Sequence, residues 1–126
     1  MKTTVNTENA PAPIGPYSQA VIAGNFVFVS GQVAINPITG ELVLDDIKTE
    51  TKQVMENIEA VLTEAGVSFS NVVKTSIFLK DMQNFAVVNE IYGTYFKDEF
   101  PARETIQVAG LPKNVNVEIT VTAFKP

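Results

Sequence analysis

Neither cysteine nor histidine occurs anywhere in these 126 residues. Without cysteine the chain has no disulfide, no thiolate nucleophile and no sulfur-ligated metal. Without histidine the usual base, proton shuttle and zinc ligand are missing too, so Ser-His-Asp and Cys-His mechanisms are excluded. Positive charge is scarce: nine Lys and Arg stand against fourteen Asp and Glu, a net charge of −5. That balance leaves no basic footprint for phosphates and argues against a nucleic-acid partner. No apolar run approaches the ~18 residues of a membrane helix, and neither a basic-then-apolar leader nor a lipidation signature is seen, so the expectation is a soluble cytoplasmic protein with no membrane partner. Any catalysis must therefore run on carboxylates, Arg, Lys, Tyr, hydroxyls, backbone groups or a bound ion.

What is present suits one domain over residues 1–126, with 45% apolar residues to build its core. Residues 1–13 are polar with Pro11 and Pro13, an arm whose order depends on what it lies against. Tyr17 follows a Gly-Pro corner and is either a half-buried core ring or the aromatic wall of a pocket. Phe26–Ser30 reads as a strand, and Gly31 interrupts it as a bulge or a close backbone approach before Gln32–Ile35 resumes the extended pattern. A turn at Asn36–Gly40 leads to a short strand-like segment over Glu41–Leu44.

Apolar residues at 47, 54, 55, 58, 61, 62 and 65, with Thr51, trace one helical face, with the aspartates at 45 and 46 suited to the N-cap and Gly66 to the C′ position. Lys48, Glu50, Lys52, Glu56 and Glu59 are expected on its solvated side. Asp45 and Asp46 lack the further oxygen ligands that a hard ion requires, and no metal site is assigned. Val72–Leu79 looks like an interior strand, and Asp81 is placed as the cap of a second helix that buries Phe85, Val88, Tyr92, Tyr95 and Phe96. Asn89 lies within a turn of that stripe and is either a surface amide or the rim of a pocket.

The last quarter holds the most unusual charges. Arg103 opens an alternating run, and Glu118 is embedded in a run of Val, Asn, Ile and Thr, with breakers at 110–114 that predict a hairpin between the two. An exposed ion pair is the commoner role for such residues. The alternative is chemical: arginine is a fork of donors matched to a carboxylate, and glutamate can position a water and take its proton, which together suit hydrolysis of a small acid.

The order of elements predicts an α+β fold, a mixed sheet with two helices on one face. Several strands are apolar at both parities, and one helix layer cannot cover both sides, so the expectation is a homo-oligomer packed sheet face to sheet face with ligand sites in the clefts between subunits.

IGPYSQA at 14–20, SGQ at 30–32, VNEIY at 88–92, and PAR with LPKNVNVEI in the last quarter occur in one order across most of the chain. Together they resemble the RidA/YjgF-type reactive intermediate deaminases. The resemblance implies a chorismate-mutase-like fold, a homotrimer with active sites at subunit clefts, and cofactor-independent hydrolysis of 2-imino acids such as 2-iminobutanoate and 2-iminopropanoate to 2-oxo acids and ammonia. It also implies roles. Arg103 corresponds to the arginine that binds the substrate carboxylate and Glu118 to the glutamate that holds the attacking water. Tyr17 corresponds to the pocket tyrosine, Gly31 to a backbone wall, Asn89 to the helix asparagine near the ligand, and Thr105 to a position whose main chain meets the imine.

Two departures bear on rate and substrate preference: many relatives carry Ser-Cys where this chain has Glu104 and Thr105, and a larger residue where it has Gly110. Alternation turns Glu104 away from Arg103. The competing reading is a trimeric metabolite-binding regulatory or chaperone-like protein that uses the same pocket without turnover. Ribonuclease activity is a third reading, disfavoured by the acidic charge and the missing histidine.

Overall fold

A computed structural model describes residues 1–126. Six strands form a single sheet: β1 (Lys2–Val5), β2 (Ala20–Ala23), β3 (Phe26–Gln32), β4 (Val72–Leu79), β5 (Ala102–Gln107) and β6 (Val117–Phe124). Helices α1 (Ile47–Glu64) and α2 (Phe85–Gly93) connect β3 to β4 and β4 to β5. The strand order is β1-β2-β3-β6-β4-β5, antiparallel throughout except for the β4–β5 pair. No helix is long and apolar enough to cross a membrane.

Local chemistry sets the ends of α1. The Asp46 carboxylate accepts from the Thr49 N–H at 2.7 Å, satisfying one of the free donors of the first turn. Gly66 ends the helix at φ +85, a left-handed conformation that a side chain would strain. Between these caps, Val54, Met55, Ile58, Val61 and Leu62 are fully buried against alternate residues of the sheet: Val27 and Val29, Ile77 and Leu79, Val117, Ile119, Val121 and Ala123. Removing each such Val, Leu or Ile side chain from water contributes about 1.5–3 kcal/mol. Val88 and Tyr92 bring α2 into the same core.

The structure corrects some readings of the sequence and sharpens others. The expected hairpin between β5 and β6 does not form, because β4 stands between them, parallel to β5 and antiparallel to β6. β4 is interior and needs partners along both edges. The connection over residues 108–116 passes its end, held there by Val108 N to Leu79 O at 2.9 Å and Lys80 N to Asn116 O at 3.0 Å. The N-terminal arm includes an edge strand, with Val5 buried. Glu41–Leu44 reduces to one bridge, Ile35 to Leu42. Asp81 caps a 3-10 turn over Met82–Asn84, accepting from the Gln83 N–H, and α2 begins only at Phe85 and ends before Tyr95 and Phe96.

The face away from the helices is apolar in patches. Phe26, Phe28 and Phe124 stack side by side, with ring centroids 6.3 and 5.7 Å apart, and Val73 and Ile106 are exposed as well.

Candidate active site

Glu118 lies on that open face. In β6 the odd-numbered residues point into the core, so Glu118, Thr120, Thr122 and Phe124 point the other way. The strand register brings Glu118 beside Phe78 of β4 and, across β3, beside the irregularity between Val29 and Gln32. Gly31 sits in that bulge. A Cβ built at Gly31 would stand 2.5 Å from Oε2 of Glu118 and 2.9 Å from its carboxyl carbon, so only a bare backbone lets the carboxylate occupy this slot. The glycine is thus both a bulge and a close approach.

A cleft of 340 Å³ opens over the carboxylate, walled by Ile14, Tyr17, Val33, Ile35 and Pro112. Tyr17 is half exposed and stands apart from the core cluster, and its hydroxyl accepts from the Ile14 N–H at 3.3 Å. The loop at the cleft mouth is tied down by Gln19, which is buried. Its Oε1 accepts from Thr7 N at 2.7 Å while its Nε2 donates to the carbonyls of Thr7, Ala10 and Pro11 at 3.0, 3.3 and 2.9 Å. Ser30 Oγ donates to Ser18 O at 2.6 Å and closes the same corner. Burial raises the Glu118 carboxyl above the ordinary glutamate value of 4.5, and no charge in the chain offsets it.

Arg103 occupies the opposite side of the sheet. It pairs with Thr75 of β4, whose side chain is buried under α2, and its guanidinium lies 5.1 Å from the Tyr92 ring centre and 5.7 Å from that of Phe85. Its Nη1 donates to Oδ1 of Asn89 at 2.6 Å. Tyr92 in turn shares a buried 2.9 Å hydrogen bond with Thr75 Oγ1, and burial raises its phenol. The guanidinium is therefore held by two rings and an amide, with a cleft of 380 Å³ in front of it lined by Asn89, Tyr92, Gly93, Phe100 and Pro101.

Thr105 shares the parity of Arg103, and its Oγ1 is buried without a partner. The bond from Val108 N to Leu79 O fixes the alternation of β5: the main-chain groups of Ala102, Glu104 and Ile106 face β4, and those of Arg103, Thr105 and Gln107 face the open edge of the sheet. Glu104 points to the other face, where Ser76 donates to it and Lys74 lies 2.9 Å away; these two partners hold its carboxyl below the ordinary value. It does not touch Arg103.

The expected residues thus fall into two separate groups. Tyr17, Gly31 and Glu118 gather on the open face, and Asn89, Arg103 and Thr105 gather at the edge under α2. The sheet separates them, and neither of these two clefts contains both Arg103 and Glu118.

A family model described as endoribonuclease L-PSP matches residues 7–125. The chain belongs to this family, the YjgF/RidA or Rid proteins. A RutC family protein of Pyrococcus horikoshii is 54% identical over 125 residues, covering 99% of both chains. The human 2-iminobutanoate/2-iminopropanoate deaminase is 44% identical over 125 residues, covering 99% of this chain and 91% of its own. A solved Rid-family structure from Yersinia pestis, described as of unknown function, superposes with a TM-score of 0.96 at 49% identity, covering 98% of this chain and 99% of that one. The α+β architecture with one mixed sheet and two helices is therefore that of the Rid family.

Several buried polar residues that brace these two groups carry little signal in the sequence. Gln19 gave no signal of its own beyond its place in the IGPYSQA motif. Glu50 was assigned to the solvated side of α1 and is instead fully buried. Asn57 is buried as well. Both lie three or four residues from Val54, which puts them at the margin of the apolar stripe, and that spacing was the available clue.

Proposed function

We propose that this chain hydrolyses small 2-imino acids, 2-iminobutanoate and 2-iminopropanoate among them, to 2-oxo acids and ammonia. The observation that carries this reading is the Glu118 carboxyl, half-buried against a bare glycine in a cleft of mixed apolar and polar walls and raised by that burial above the ordinary value. Family membership and the human deaminase at 44% identity support it.

Arg103 takes the substrate carboxylate through its guanidinium fork, pre-oriented by Phe85, Tyr92 and Asn89. The outward main chain of Thr105 meets the imine end. Glu118 accepts a proton from water as the water oxygen bonds to the imine carbon, forming the carbinolamine. It passes that proton to the nitrogen, and as the C–N bond breaks it takes the proton of the new hydroxyl, so that the 2-oxo acid forms and the departing ammonia carries the proton away. A protonated imine is already a strong electrophile, so orientation and one proton carrier suffice. In this reading a homotrimer completes each site, the edge of one subunit bringing Arg103 to the open-face cleft that holds Glu118 in the next.

The family model's description names an endoribonuclease. Against RNA this chain brings a net charge of −5 and no histidine, and the imine reading fits its residues better.

The test is an assay that generates 2-iminobutanoate from threonine. The wild-type protein is expected to accelerate the appearance of 2-oxobutanoate, and Arg103→Ala to lose that acceleration while remaining folded. Undiminished hydrolysis by a folded Arg103→Ala rejects the mechanism. Wild-type protein that binds stable 2-oxo acids in a calorimeter yet leaves the imine untouched points to the regulatory reading instead.

A further inference from the structure

Helix α1 buries three polar side chains: Thr51 returns its hydroxyl to the Ile47 carbonyl within the helix at 2.7 Å, whereas Glu50 and Asn57 reach beyond it. Glu50 is 0% exposed and Asn57 1% exposed. Replacing buried charge by apolar packing is often neutral or stabilising, so their presence calls for another reason.

Their partners supply one. Oε2 of Glu50 accepts from the Asn116 N–H at 2.8 Å and the Val117 N–H at 3.2 Å, and Oε1 accepts from Asn116 Nδ2 at 2.7 Å. These donors belong to the two residues immediately before Glu118. Asn116 is held from the other side as well, where its carbonyl accepts from Lys80 N at 3.0 Å. Asn57 Nδ2 donates to the carbonyls of Val33 and Ile35 at 3.1 and 3.0 Å, and Gln53 Nε2 fixes the Asn57 amide by donating to its Oδ1 at 2.9 Å. Val33 and Ile35 line the cleft over Glu118 on the segment that continues from Gly31.

One rigid helix therefore grips both walls of one cleft. Residues seven apart return to nearly the same side of a helix about 10.5 Å further along it. We propose that α1 is the spacer that sets the width of the Glu118 cleft, with Glu50 the positioning residue for Glu118 and Asn57 the positioning residue for the wall that continues from Gly31. The role assigned to Glu118 rests on the function proposed above, but the placement of its carboxylate is testable without any activity.

The decisive measurement is the carboxyl titration of Glu118, followed by carbon NMR in the intact protein and identified by the signal lost in Glu118→Gln. Titrations are read in an Arg103→Ala background, where no neighbouring guanidinium offsets the burial, and there the value is expected above the ordinary 4.5, while kinetics use the protein with Arg103 intact. In Glu50→Ala the start of β6 is released and water reaches the carboxylate, so the titration is expected to fall toward 4.5. In the imine assay, kcat is expected to fall about 10- to 100-fold with KM changed less than about twofold, since Arg103 still holds the substrate. Glu50→Gln keeps an acceptor for the two backbone donors, and its amide suits a flipped Asn116 side chain, so it is expected to restore both readouts.

An unmoved Glu118 titration in folded Glu50→Ala overturns the proposal, and so does a loss expressed in KM alone. Should Glu50→Ala fail to fold, Asn116→Ala removes only the outermost of the three bonds; a smaller shift in the same direction is expected, and no shift overturns the proposal equally. Asn57→Ala is expected to lower the titration by opening the facing wall, and an unchanged value there removes Asn57 from the spacer. If Glu118 titrates high in the Arg103→Ala background but wild type accelerates no imine hydrolysis, the proposed function fails while the positioning stands.

Discussion

A carboxylate that sits in an apolar slot stabilises nothing by being charged. Glu118 has a folded-state value raised above the ordinary 4.5 by burial alone. The sign follows directly. The fold favours the protonated form, so Glu118 contributes stability below its unfolded value and loses that contribution as pH rises through its folded value. Glu118→Gln, which is always neutral, is therefore expected to melt higher than wild type at pH 7 to 8, with the difference vanishing as the pH falls below the unfolded value. The same variant is expected to be inactive in imine hydrolysis. Thermal melts across that pH range check the first half; a wild-type protein that equals or exceeds the variant at neutral pH refutes it. The acid limb of the kcat/KM profile, which reports the free enzyme, is also expected above 4.5 where burial dominates, because the base must be ionised to work. A residue that weakens the fold in the state in which it functions is the pattern expected of a working group rather than of a structural ion pair.

At the scale of elements, the bulge in β3 and the helix α1 do the placing. Gly31→Ala sets a methyl group 2.5 Å from the Glu118 carboxylate oxygen. The clash falls on the far end of a flexible side chain, so the fold is expected to survive with its melting temperature within a few degrees of wild type. The carboxylate, displaced by about an ångström, is expected to lose on the order of 10²-fold in kcat. Circular-dichroism melts beside kinetics separate the two effects, and full activity with intact folding contradicts the slot. Reading the sequence located this glycine, the two caps of α1 and the interior strand β4, because each is written in local chemistry: a breaker in a strand, an acid before a helix, an apolar run. It misplaced the 108–116 connection as a hairpin and Glu50 as a solvated side chain. Both depend on partners far away in sequence, Leu79 and Lys80 for the connection and Asn116 and Val117 for Glu50, and no periodicity carries that information. Motifs supplied the residues expected at a site, whereas their division between two faces of the sheet required the register of β5 and β6 around β4.

For the molecule as a whole, that division makes assembly part of the proposed chemistry. Arg103 and Glu118 belong to opposite faces of one sheet, and the open face carries Phe26, Phe28, Phe124, Val73 and Ile106 in contact with solvent. Covering such a face is what an oligomer does, and a closed ring lets the edge of each subunit approach the cleft of the next. A mixed assembly tests this without a structure of the complex. Arg103→Ala and Glu118→Ala are each expected to be inactive alone. Mixed by denaturation and refolding, they generate interfaces in which an intact Arg103 from one subunit meets an intact Glu118 from its neighbour. Random association makes about a quarter of the interfaces of this kind, so about a quarter of wild-type activity is expected to return. A site built within one chain predicts no recovery at any mixing ratio. Sedimentation of the mixture, read beside the activity, distinguishes a failure to assemble from a site that does not cross subunits: trimers that form fully and stay inactive place both residues' roles within a single chain and overturn the shared-site reading.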